Sequence, residues 1–114
     1  MEEGIQALNA GDFVSAEYIF ADLRKHGVSA ENSGYLAMAE ASAGNLGHGI
    51  SHFQESIRLG NDSAAIHHNL GVAYLKSGRD EDGIRELRAA TVKGPNFLPS
   101  QRALGIALLE HFHK

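Results

Sequence analysis

The chain has 114 residues, with 10 basic and 14 acidic side chains, a net charge of −4 and no cysteine. A single domain with a modest core is the most this length holds. The totals exclude a disulfide framework, a thiolate zinc site and a cysteine nucleophile, and the acidic balance argues against nucleic acid or an anionic membrane as the main target.

Met1 to Leu8 carries two glutamates in place of the basic, then apolar, run of a signal peptide. No window approaches the roughly 18 apolar residues of a membrane span. The expectation is a soluble, cytoplasmic protein. Helical periodicity and its punctuation predict seven helices, over 2–9, 13–26, 30–43, 46–59, 63–77, 80–93 and 98–112. The second carries an apolar stripe at Phe13, Ala16, Phe20 and Leu23. Ser29 is placed to cap the third. The fourth has its stripe at Leu46, Ile50, Phe53 and Ile57, and Gly60 follows as a left-handed C-terminal cap. Asp62 is the expected N-cap of the fifth. The sixth opens on Asp80, Glu81 and Asp82, which favour the positive end of its dipole, and continues with Ile84, Leu87 and Thr91. Gly94 is read as a second left-handed cap, followed by Pro95, and Pro99 suits the first turn of the last helix.

These elements repeat. At an offset of 34 residues, Leu36, Leu70 and Leu104 fall in register, followed by Ala37, Gly71 and Gly105, then Met38, Val72 and Ile106. Gly44 answers Gly78, Gly49 answers Gly83, and Phe53 answers Leu87. The first segment joins at an offset of 33, through Gly11, Phe13, Ala16 and Phe20 against Gly44, Leu46, Gly49 and Phe53. A glycine inside a helix costs about 1 kcal/mol against alanine. Gly4, Gly71 and Gly105 share one repeat position with Ala37, while Ala16, Gly49 and Gly83 share another. The pattern predicts that the two helices of a unit cross at these small residues.

With this register the chain resembles the tetratricopeptide repeat family, through Leu70, Gly71, Tyr74, Gly78, Gly83, Leu87, Ala90 and Pro95. The resemblance implies an all-α fold, a right-handed α-solenoid of antiparallel helix pairs. It covers one domain over 1–114, comprising a clipped unit (1–28), full units at 30–63 and 64–97, and a lone helix at 98–112. No unit has the family's early tryptophan, whose slots hold Ser33, His67 and Gln101; Glu40 stands in a tyrosine slot and Asn61 in a proline slot. The family's concave groove positions carry over to Ile5, Leu8 and Asn9; to Glu31, Tyr35, Met38 and Ser42; to His68, Asn69, Val72, Leu75 and Lys76; and to Arg102, Ile106, Leu109 and Glu110. The family's carboxylate clamp is not implied, because only Asn69 falls on a matching slot.

The expected function is therefore a protein-interaction scaffold that binds a protein or peptide through Tyr35, Met38, His68, Asn69, Val72, Leu75, Lys76, Arg102, Ile106 and Leu109, with no cofactor. The same side chains also suit plain packing between helices. Two alternatives stand beside it. The last helix is apolar around most of its circumference, so Leu104, Leu108, Leu109 and Phe112 are candidates for self-association, as a homodimer; or the chain is a regulatory or targeting segment of a larger enzyme. His48 and His52 have the four-residue spacing of a metal pair but read as surface histidines, with Glu55 as the nearest oxygen; His111 and His113 end the chain. There is no phosphate-binding glycine loop and no readable triad, so neither catalysis nor a metal is expected.

Overall fold

A computed structural model describes residues 1–112. Those residues form seven α-helices: α1 (Glu2–Asn9), α2 (Phe13–Leu23), α3 (Ala30–Ser42), α4 (Leu46–Arg58), α5 (Ala64–Lys76), α6 (Asp80–Lys93) and α7 (Leu98–Phe112). A 3₁₀ turn, Arg24–His26, continues α2 and ends at Gly27, whose φ of +141° suits glycine alone. The chain divides into two compact units, Met1–Asn61 and Asp62–Lys114.

In the first unit α1 packs on α2, α2 on α3, and α3 pairs closely with α4. Ala16, Phe20, Leu36 and Ala39 are buried together, with Ile5, Ala7, Leu8, Leu23 and Tyr35 packed around them. The small residues do what the repeat predicts. A Cβ on Gly4 would lie 2.6 Å from the Phe20 ring, and one on Gly49 would lie 3.1 Å from the carbonyl oxygen of Ala37. Ser29 caps α3 through a capping box, its Oγ accepting from Asn32 N–H at 3.1 Å while Asn32 Oδ1 accepts from Ser29 N–H at 3.0 Å.

In the second unit α5 pairs with α6, and α7 lies against both. The crossing of α5 and α6 is reciprocal. A Cβ on Gly71 would stand 2.9 Å from Leu87 Cγ and 3.1 Å from the Gly83 carbonyl oxygen; one on Gly83 would stand 2.7 Å from Leu75 Cγ and 3.0 Å from the Gly71 carbonyl oxygen. Close backbone approach at the paired glycines offsets their poor helix propensity. Ile84, Leu87 and Ala107 are buried beside it, surrounded by Leu75, Ala103, Leu104 and Leu108.

Two caps differ from expectation. Ser63, not Asp62, caps α5 by accepting from Ile66 N–H at 3.4 Å, because the Asp62 carboxylate is engaged with His67 and Lys93. Gly60 has the expected positive φ of +115°, whereas Gly94 has φ −136°. Gly94 answers a different need: a Cβ there would lie 2.8 Å from Ala64 Cβ, so the chain must be bare to pass the start of α5.

Candidate functional site

Each unit presents its own candidates. In the first, Tyr35 is half-buried, its ring stacked on Phe20 with centroids 5.1 Å apart, and Met38 is half-buried one turn further along α3. In the second, α5 holds His68, Asn69 and Val72 half-buried and Lys76 exposed in its last turn. His68 is tied down: its Nδ1 lies 3.2 Å from Ser100 Oγ, and its ring meets Phe97 edge-on at 5.5 Å. Burial pushes the His68 pKa below the ordinary histidine value, which favours the neutral ring.

Helix α7 has one packed face and a broad open one. Ser100 and Ala107 are buried, and Leu104 and Leu108 lie half-buried in the cluster with Leu75, Ile84 and Leu87. These three candidates, Leu75, Leu104 and Leu108, are thus placed among core side chains. By contrast Leu98, Ile106, Leu109 and Phe112 are 64%, 54%, 65% and 79% exposed. An open groove of about 310 Å³ is lined by Leu98, Pro99, Arg102, Ala103 and Ile106, with Arg102 and Ile106 one turn apart on α7. On the opposite flank a second groove, of about 320 Å³, runs between α6 and α7, with Ile84, Leu108 and Phe112 as its apolar lining and Arg85, Arg88 and His111 among its polar walls.

Three polar clusters were not foreseen. Arg24 Nη1 donates to Ser33 Oγ at 2.9 Å and to Glu55 Oε1 at 2.6 Å, and Ser33 Oγ donates to the same Glu55 oxygen at 2.7 Å. The hydrogen bond from Arg24, helped by the one from Ser33, lowers the Glu55 pKa to about 2. His52, expected to face solvent, is half-buried with Nδ1 2.5 Å from Oε1 of the buried Glu40. His67 is buried between two carboxylates, with Nε2 2.5 Å from Asp62 Oδ1 and Nδ1 2.9 Å from Glu86 Oε1, while Lys93 Nζ donates to Asp62 Oδ2 at 2.6 Å. The hydrogen bonds from His67 and Lys93 hold the Asp62 carboxyl below its usual range. The signal was present in the tryptophan and tyrosine slots, where Ser33, His67 and Glu40 stand: a polar residue in a buried slot needs a partner on the facing helix.

Among the described residues no group of three histidine, cysteine, aspartate or glutamate side chains is gathered to hold a metal ion. His48 is exposed, His111 half-buried, and His113 lies outside the described residues.

Helix pairs closed at small residues and repeated every 34 positions define an all-α fold of the tetratricopeptide solenoid type. The chain is similar to a solved structure of a mutant O-GlcNAc transferase from Thermobaculum terrenum, with a TM-score of 0.86 and 24% identity over 92% of this chain and 20% of that one. It is similar also to the crystal structure of MamA, with a TM-score of 0.70 and 18% identity over 97% of this chain and 85% of that one. The chain thus spans one fifth of the transferase's length. No family model matches the chain, and no curated protein matches its sequence. No helix among the described residues is long and apolar enough to cross a membrane.

Proposed function

We propose that this chain is a protein-interaction scaffold, not an enzyme, and that it binds a peptide or protein without a cofactor. The observation that carries this reading is the open groove at Leu98, Pro99, Arg102, Ala103 and Ile106, where an exposed cation stands beside apolar side chains. Such a site fits an apolar anchor flanked by a carboxylate. His68, Asn69, Val72 and Lys76 on α5 contribute to partner recognition in this reading, as do Leu109 on α7 and, in the first unit, Tyr35 and Met38, while Leu75 packs in the core beneath them. A net negative chain without cysteine accords with a cytoplasmic setting and with a partner that is neither nucleic acid nor membrane.

Peptides selected from a displayed random library against the wild-type protein provide the test. Fluorescence anisotropy should show them binding Ile106→Glu about tenfold more weakly or worse, because a charge replaces the apolar contact. Ile106 is more than half exposed, so the helical circular dichroism should survive. Equal binding by the folded variant would overturn the groove assignment.

Two further readings have an observation each. The exposed Leu109 and Phe112, with Leu104 and Leu108 beneath them, support self-association as a homodimer. The likeness to one fifth of an O-GlcNAc transferase chain supports a regulatory or targeting segment of a larger enzyme.

A further inference from the structure

Five helices share one short motif: a glycine, a branched aliphatic residue, and a leucine or phenylalanine four positions after the glycine. It reads Gly4-Ile5 with Leu8 in α1, Gly49-Ile50 with Phe53 in α4, Gly71-Val72 with Leu75 in α5, Gly83-Ile84 with Leu87 in α6, and Gly105-Ile106 with Leu109 in α7. Where α5 meets α6 the motif pairs with itself. Each glycine lies against the other's carbonyl oxygen, and each leucine covers the other helix's glycine. The pairing is therefore self-complementary under a two-fold rotation.

Gly105 carries the same motif without that cover. A Cβ built on it meets nothing within 4 Å, while Gly4, Gly49, Gly71 and Gly83 are all closely approached. Gly105, Leu109, Phe112 and Leu98 share one stripe of α7, at helical spacings of four and seven, and the three large side chains on that stripe are each more than 60% exposed. We infer that a second copy of this chain covers this stripe, its α7 crossing antiparallel at Gly105 and reproducing the α5–α6 crossing between two molecules. In that register Leu109 of each copy seats on the partner's Gly105, and the exposed Arg102 of each copy falls within two residues, about 3 Å along the axis, of the level of the partner's exposed Glu110, an opposite-charge approach that a parallel pair does not provide. Phe112 approaches the partner's Leu98. A two-fold interface of this kind is closed, so association stops at the dimer. This inference rests on the self-association reading, in which the second copy takes Leu98, Arg102 and Leu109 in place of the peptide, and adds to it the residue at which the helices cross.

Sedimentation velocity over roughly 1 µM to 1 mM tests it, because one helix–helix contact falls at the small end of specific interfaces and implies dissociation constants on the order of tens of micromolar. The wild type should pass from monomer to dimer across that range. Gly105→Leu should weaken the dimer about tenfold or more, since its side chain would fill the crossing, and Leu109→Ala should weaken it in the same direction. Both variants should keep the wild-type circular dichroism, because neither position supports the packed face of α7. A wild type that stays monomeric throughout would overturn both this inference and the self-association reading. A dimer that Gly105→Leu and Leu109→Ala leave unchanged would overturn the crossing alone.

Discussion

Replacing Gly71 by alanine tests the packing argument most directly, because two effects of opposite sign compete there. Helix propensity alone favours the alanine by about 1 kcal/mol. Against it, the new Cβ would lie 2.9 Å from Leu87 Cγ and 3.1 Å from the carbonyl oxygen of Gly83. The leucine is fully buried in a packed cluster and the oxygen belongs to the backbone of α6, so neither neighbour yields without displacing others. Overpacking of this kind costs about 1–3 kcal/mol, and two simultaneous contacts place it towards the upper end. The net expectation is a loss of about 1–2 kcal/mol. Gly105→Ala is the matched control, because it sits mid-helix with nothing within 4 Å of its Cβ and should stabilise by up to about 1 kcal/mol. Urea unfolding followed by circular dichroism at low protein concentration reads both. With a slope of about 1–1.5 kcal/mol per molar, Gly71→Ala should lower the midpoint by about 1 M while Gly105→Ala raises it. If both substitutions raise the midpoint equally, the glycines are not there for the helix crossing and the packing account fails.

Two more outcomes follow from the first unit. Phe20 is wholly buried, touching Gly4 through its ring and stacked on Tyr35, so Phe20→Ala should cost about 3–5 kcal/mol and lower the melting temperature by about 15 °C or more; a drop of only a few degrees would show that the ring does not hold α1, α2 and α3 together. Glu55 has a folded-state pKa depressed from 4.5 to about 2. Its contribution is therefore complete above pH 4.5 and is lost as the pH falls towards about 2. Wild type should exceed Glu55→Gln in urea midpoint at neutral pH, and the gap should close over that acid range; a gap independent of pH would disprove the role of the ionised carboxylate.

The fold was legible because its determinants are local or periodic. The 34-residue register depends on glycine and alanine at fixed positions, and the structure places Gly4, Gly49, Gly71 and Gly83 in the close contacts that register demands. Helix limits followed from propensity, breakers and acidic first turns. What escaped depends on facing pairs. His52 looked like a surface residue until Glu40 was found across the helix pair, and Asp62 looked like a cap until His67 and Lys93 claimed its oxygens. Gly94 carried the composition of a left-handed cap, but the feature that requires glycine there is Ala64, thirty positions away in sequence. Leu75 occupies a groove slot by alignment, yet its position on the face towards Gly83 sends it into the cluster with Leu87. Periodicity assigns a residue to a face of its own helix, and it says nothing of which side chain waits on the next one.

The buried polar pairs have a consequence for how repeats of such similar backbone avoid being shuffled. In the first unit Glu40 of α3 meets His52 of α4; in the second His67 of α5 meets Glu86 of α6. His52 and Glu86 are 34 residues apart and occupy the same repeat position. A folding chain in which α3 closed on α6 would therefore set Glu40 against Glu86, carboxylate to carboxylate, while α5 closing on α4 would set His67 against His52 and leave Glu86 behind. Either error buries groups without their counterparts, at a cost of several kcal/mol. Repeat chains are exposed to such exchanges. Here each of α3, α4, α5 and α6 carries an acid or a base that identifies its own mate, so a backbone that repeats is threaded through contacts that do not.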